Sequence, residues 1–259
     1  MIDTHCHLDF AVFDPDREAV IERARAAGVE RIVLPSIGVD NFERVLRLCA
    51  AHAELHPALG LHPCYPHARE HDLARLDATL AQAAGEVVAL GEIGLDFRPP
   101  RSGSQRAEPA AQERLLEEQL ALARAHELPV LLHVVRAHDQ VLKRLRHHRL
   151  PRGGIVHAFS GSEQQAREYA RLGFKLGVGG AITHPRAQKK RRLVANLPLS
   201  WLLLETDAPD MPLDGHQGER NEPARVAEIA RLLARLRAIS LAEVEAVSDA
   251  GARALLRLG

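Results

Sequence analysis

The chain has 259 residues, 46% hydrophobic and 26% charged, with Lys+Arg and Asp+Glu both at 34. A chain of this length buries roughly three quarters of the surface its unfolded form exposes, so no disulfide or bound metal is required for a core. Balanced charge excludes a global positive field, so a polyanionic substrate would need a local site; no apolar run reaches the ~18 residues of a membrane span, and Met1-Ile2-Asp3-Thr4-His5 has no leader character. Cys6, Cys49 and Cys64 form an odd set at no framework spacing, which fits a reducing cytoplasm.

Short apolar runs alternate with longer amphipathic stretches along the whole sequence. The strands expected are 2–7, 31–36, 56–61, 86–92, 129–134, 154–158, 174–178 and 201–206. Several are apolar on both faces, as in a parallel sheet covered on both sides. Helical spacing links Phe42, Val45, Leu46 and Cys49, and again Val226, Ile229, Ala230 and Leu233. Start signals are Asp14-Pro15 and capping boxes at Ser162–Gln165 and Ser240–Glu243. Eight strands, each followed by a helix, predict a single α/β domain over 1–259: a (β/α)8 TIM barrel with an extra helical hairpin at 240–257. A doubly wound open sheet shows the same alternation, but no glycine-rich dinucleotide loop follows the first strand. Gly177, Gly179 and Gly180 are read as close packing rather than a phosphate loop.

The chemistry-bearing residues cluster at the ends of these strands. His5 and His7 alternate on the first, so both imidazoles share a face while Cys6 points away. Glu92 ends the fourth strand, His133 the fifth, His157 the sixth and Asp207 the eighth. In a barrel these ends converge on the C-terminal face, where active sites of this fold are built. A lone His or Asp at a strand end is usually a loop anchor. Four imidazoles and two carboxylates buried together without a metal would be costly. They exceed the needs of one tetrahedral ion and suit two divalent cations about 3.5–4 Å apart, sharing a bridging carboxylate. The oxygen ligands lean towards Mg2+ or Mn2+, the imidazoles towards Zn2+, nickel or cobalt. Among the 15 histidines, His52, His71, His126, His147 and His148 read as solvated helix positions.

Asp3-Thr4-His5-Cys6-His7-Leu8-Asp9, Gly91-Glu92-Ile93-Gly94-Leu95-Asp96, His157-Ala158-Phe159-Ser160-Gly161 and Glu205-Thr206-Asp207-Ala208-Pro209 resemble the TatD-type metal-dependent deoxyribonucleases. Gly60-Leu61-His62-Pro63 and Arg220-Asn221-Glu222-Pro223 match further motifs of that family, and Ala208–Pro212 resembles its YjjV-like branch. The resemblance spans nearly the whole chain. It implies a barrel of the amidohydrolase superfamily and a two-metal hydrolytic site. Carried over, His5, His7, Glu92 and Asp207 hold one metal; Glu92, His133 and His157 hold the second, with Glu92 bridging. The implied reaction is hydrolysis of DNA phosphodiester bonds, exonucleolytic at single strands or ends, by a metal-activated water with Asp207 as general base. The family pattern has Arg two residues after the strand-five histidine; here Val135 stands there, with Arg136 next as the substitute.

Further candidates surround that centre. His62 and Arg98 are expected to contact phosphate, and Glu205 to orient a ligand histidine. Arg98, Arg101 and Arg106, in the loop after Glu92, are better phosphate candidates than the run 189–192, which reads as a solvated helix face. Phe10, Tyr65, Phe97 and Phe159 form either a stacking platform for bases or a hydrophobic lid. Rival readings are a superfamily esterase, lactonase or amidase, and a non-catalytic protein stabilised by its metals. No membrane or obligate protein partner is indicated.

Overall fold

The computed structural model describes residues 1–99 and 106–259. Among these, the strands are β1 (Ile2–Asp3), β2 (Arg31–Pro35), β3 (Leu55–Leu59), β4 (Ala89–Asp96), β5 (Val130–Val135), β6 (Gly154–Val156), β7 (Phe174–Val178) and β8 (Leu202–Leu204). All neighbours pair in parallel in the order β1 to β8. The ring closes from β8 to the chain beyond β1: the Thr4 N–H donates to Leu204 O at 3.0 Å, Asp207 N–H to His5 O at 2.9 Å and His7 N–H to Ala208 O at 2.7 Å. The expected TIM barrel is the fold.

Helices follow the strands: α1 (Arg17–Ala26), α2 (Phe42–Ala51), α3 (Arg69–Gln82), α4 (Pro109–Ala125), α5 (His138–His148), α6 (Glu163–Arg171), α7 (Gln188–Asn196) and α8 (Val226–Arg237). The Ser162 hydroxyl accepts from Gln165 N–H and the Gln165 side chain accepts from Ser162 N–H, completing the expected box on α6. Asp14 does not start α1. It pairs with Arg17 and Arg44 beside a short 3-10 turn (Ala11–Phe13), and the helix begins at Arg17.

The extra C-terminal segment is one helix, α9 (Leu241–Leu256), not a hairpin. Ala252, Leu256 and Leu258 pack against Ile2, Val33, Ala58, Ala89, Leu131, Ile155 and Leu203, the barrel's own interior side chains. Each fully buried leucine contributes about 1.5–3 kcal/mol. Ser248 Oγ accepts from Leu204 N–H and Asp249 Oδ1 from Ile2 N–H. Helix α9 thus plugs the N-terminal mouth and leaves the C-terminal mouth for chemistry.

Strand β4 departs most from expectation. It runs to Asp96, four residues past the expected end, with a register shift against β5 between Leu90 and Ile93. Gly94 makes the continuation possible: its φ is +146°, and a Cβ there would lie 1.9 Å from His133 O. Glu92 therefore sits inside a strand, not at its end, and Asp96 shares its face four residues on.

Beneath β5–β7, His138 at the start of α5 packs against Phe159 and Tyr169, its Nδ1 3.2 Å from the Tyr169 hydroxyl. Burial pushes this imidazole down to about 4. The unfolded chain takes up a proton near pH 6.5 and the folded chain only near 4, so stability is lost as pH falls through that window. The expected result at pH 5 is a loss of about 2 kcal/mol relative to pH 7. Thermal melts at the two pH values should show it, and His138→Gln should flatten the difference; an unchanged difference would remove His138 as its source.

Candidate active site

The six residues expected at strand ends meet in one cluster. Strand β1 stops at Asp3, so His5 and His7 lie beyond it; Glu92 and His133 lie within β4 and β5, and His157 and Asp207 follow β6 and β8. His5 Nε2 lies 3.2 Å from Glu92 Oε2 and 3.8 Å from Asp207 Oδ1. His7 Nε2 lies 3.4 Å from the same glutamate oxygen and 4.0 Å from the same aspartate oxygen. On the other side, His133 Nδ1 is 2.9 Å from Glu92 Oε1, and His157 Nε2 is 3.5 Å from Asp207 Oδ2. The His5 and His157 rings stack with centroids 3.8 Å apart. Glu92 Oε2 thus faces His5 and His7, and Oε1 faces His133 and His62.

Several backbone devices hold this geometry. Asp3 accepts from the N–H groups of His5 and Thr206 and from the Thr206 hydroxyl, tying the β1 end to the β8 end. Asn221 Nδ2 donates to Thr206 O and Asp210 O, bracing the loop that carries Asp207. Asp207 has φ +61°, a left-handed conformation that Asp and Asn tolerate better than most residues. Glu205 is fully buried, accepts from Ala158 N–H at 2.6 Å and sets Oε1 3.0 Å from His157 Nδ1. A Cβ on Gly177 would lie 2.1 Å from the Glu205 carboxylate. Gly177 and Gly179 pack closely against Glu205 and Gly180 against Met211 and Leu213, the close packing their sequence suggested.

The electrostatics are those of a charge-balanced cluster. Burial opposes ionisation of Glu92, but His62 and His5 outweigh it and hold the carboxyl well below its usual range. Asp207 is likewise lowered, against burial, chiefly by His157. His133 and His157 are held well above the usual imidazole value, despite burial, by Asp96 for the first and by Glu205 and Asp207 for the second. His5 is pushed down by burial and by His157.

The donor set fits divalent cations. His5 Nε2 and His7 Nε2 face each other at 3.3 Å, and both face Glu92 Oε2. Two imidazole lone pairs and a carboxylate oxygen aimed at one point are a coordination geometry. His5, His7 and Asp207, and separately His5, Glu92 and His157, bring their ligand atoms within 4.8 Å of one another.

The remaining sequence candidates sort clearly. His62 is buried; its Nδ1 accepts from Cys64 N–H at 3.1 Å, so in the neutral ring Nε2 carries the proton, 3.5 Å from Glu92 Oε1. Arg98 is half exposed at the mouth, its Nε donating to both Asp96 oxygens at 3.0 and 2.9 Å. Arg106 is nearly buried on the same carboxylate, and Arg101 lies outside the described residues. Arg136 is exposed in a left-handed turn and lies outside the walls of the cavity at the donor set, which Val134 and Val135 help to form. Phe10 and Tyr65 line the mouth, but Phe97 packs against the core and Phe159 is buried in it.

Sequence reasoning assigned no role to Asp96 or Cys64. Asp96 Oδ2 lies 3.1 Å from His133 Nε2 and accepts from Cys64 Sγ at 3.2 Å. Burial opposes it, but hydrogen bonding to His133 and His62 pulls the Cys64 thiol down to about 6. The i, i+4 spacing of Asp96 from Glu92 on one strand was the available signal.

The family described as TatD related DNase matches residues 2–257. The chain is 48% identical over 237 residues to the uncharacterized metal-dependent hydrolase YjjV of Escherichia coli K12, covering 91% of this chain and 90% of that one. It is 36% identical over 263 residues to the 3'-5' ssDNA/RNA exonuclease TatD of Cronobacter sakazakii, covering 98% and 97%. The crystal structure of YjjV superimposes with a TM-score of 0.94 at 45% identity, covering 100% of this chain and 98% of the other. With a family match from end to end and this donor set in its barrel mouth, the chain belongs to the TatD-related DNase family and is a metal-dependent hydrolase.

Proposed function

We propose that this protein is a divalent-metal-dependent deoxyribonuclease that removes nucleotides from the ends of single-stranded DNA. The observation that carries this reading is a donor set that opens onto two adjoining cavities, one of about 310 Å³ and one of about 490 Å³, which share Arg98, His133, His157, Asp207 and Asp210 in their walls. Space that continues past the reacting centre suits a substrate longer than the bond cleaved, with a cation at the rim for phosphate. The naming of the Cronobacter relative as an ssDNA/RNA exonuclease supports the same substrate class.

In this reading His5, His7, Glu92 and Asp207 hold one cation, and Glu92, His133 and His157 the other, drawn from magnesium, manganese or zinc. Bound there, two such ions polarise a phosphate oxygen and lower the pKa of the attacking water. Asp207, ionised and beside His157, accepts the water's proton. Glu205 holds the Nδ1 edge of His157 so that Nε2 stays turned to the centre. His62 presents Nε2–H, and Arg98 its guanidinium, to the phosphate oxygens.

The test is metal-reconstituted protein assayed on single-stranded DNA, RNA and simple esters. The expected result is release of mononucleotides from DNA, with KM rising steeply with salt because each phosphate contact releases a counterion. Hydrolysis confined to a small ester, with no salt dependence, would instead make it a superfamily esterase or lactonase. No hydrolysis of any of the three would leave a metal-stabilised binding protein.

A further inference from the structure

The basic run 189–192 lies on α7, and its four side chains have different fates. Arg191 is spent within the fold, its Nε and Nη2 donating to the carbonyls of Ile182 and Thr183 at 2.8 and 2.7 Å. Lys189 and Arg192 are exposed. Lys190 is half-buried and lines the larger of the two cavities at the donor set, together with Val134, Val135, Ser160 and Met211.

Lys190 makes no hydrogen bond or ion pair among the described residues. Asp207 and Asp210 border the same cavity, yet the lysine pairs with neither. The half-buried ammonium has no hydrogen-bond partner among the described residues, and burial lowers its affinity for its proton against the attraction of Glu205. The lining is mixed, with Val134, Val135, Ala158 and Met211 apolar and Arg98 and Lys190 the two cations that can attract an incoming anion. Arg98 stands at the rim of the same cavity and also borders the smaller one, where Phe10 and Tyr65 present aromatic faces. The two cavities are therefore chemically unlike: one offers rings, the other a free cation and a hydroxyl.

We propose that the larger cavity is a binding subsite for the phosphate of the nucleotide next to the scissile bond, with Lys190 as its main contact and Arg98 at its rim. The inference rests on the nuclease reading of the site and sharpens it: the enzyme takes a chain of at least two phosphodiesters in preference to an isolated phosphodiester. Lysine suits the task because its three donors on a flexible stem follow a phosphate without fixing one geometry.

The test is steady-state cleavage of a thymidine trinucleotide by the full, metal-reconstituted chain. Thymidine 5'-p-nitrophenyl phosphate, which has no neighbouring phosphate, serves for comparison. Lys190→Gln is expected to raise KM for the trinucleotide about tenfold with kcat nearly unchanged, the worth of one charged hydrogen bond. The slope of log KM against log salt should fall by about 0.7, one single-strand phosphate contact. The preference for trinucleotide over the simple ester should shrink by the same factor. Lys190→Arg should restore most of the affinity, and Lys189→Gln, on the exposed face, should change neither KM nor slope. A Lys190→Gln protein with wild-type KM and slope overturns the subsite, as does one that loses both substrates equally. Wild-type protein that hydrolyses the ester but no oligonucleotide overturns the nuclease reading, and the subsite with it.

Discussion

Asp207→Asn is expected to lower kcat/KM on single-stranded DNA roughly a thousandfold or more while the melting temperature stays within a few degrees of wild type. Asparagine is the informative replacement because Asp207 occupies a left-handed conformation, φ +61°, that Asn also tolerates. The backbone bond from residue 207 N–H to His5 O and the turn bond from Asp210 N–H to its carbonyl survive the change. What is lost is charge and basicity. The native carboxylate is held ionised against burial, mainly by His157, and faces His5 and His7 through Oδ1 and His157 through Oδ2. An amide offers one acceptor edge and no place for a proton. Activity within tenfold of wild type would sink the role given to Asp207, and a collapsed melting temperature would make it a structural residue.

The second large effect is on metal content. Glu92→Gln should reduce the tightly held metal per chain below that of wild type, as measured by elemental analysis after dialysis, and activity should fall at least as far as for Asp207→Asn. Glu92 is 2% exposed, and its two oxygens lie within 3.5 Å of four imidazoles: His5 and His7 on one, His62 and His133 on the other. Glutamine keeps the shape but turns one edge from acceptor to donor, so one of the two positions must lose its ligand. A second readout is independent of turnover. Ions that bind only the folded chain raise the melting temperature in proportion to their affinity, so added manganese or zinc should stabilise wild type more than Glu92→Gln. Equal metal content and equal stabilisation would show that Glu92 bridges nothing.

Both expectations start from residues visible in the linear chain, yet not everything near them was visible. The expectation of strand ends brought six of the clustered side chains to the right end of the barrel, because parallel strands bring their C-terminal ends together whatever the loops do. The same logic misjudged β4. A strand that continues past its expected end puts Glu92 in its interior and Asp96 behind His133, and that continuation depends on Gly94 fitting against the His133 carbonyl. Arg136 looked like a replacement for an absent arginine because it is one residue away. Side chains on a strand alternate between faces, and at a strand end a left-handed turn redirects them again, so a neighbour in sequence is no neighbour in space.

The basic run on α7 shows the division most clearly. Its composition suggested only a solvated face, since helix periodicity sorts positions but does not reveal what each position meets. Packing against the barrel sends Arg191 to two backbone carbonyls and Lys190 to the cavity wall. From the sequence alone came the eightfold alternation, the chemical kinds of the ligands and their convergence, because these follow from periodicity and from the fixed direction of parallel strands. Which edge of each imidazole faces the centre, which side chains each Glu92 oxygen meets and which residue of the basic run lines the cavity were decided by the tertiary structure. They depend on separations of a few ångströms between segments up to two hundred residues apart in sequence, and local preferences carry no information about those distances.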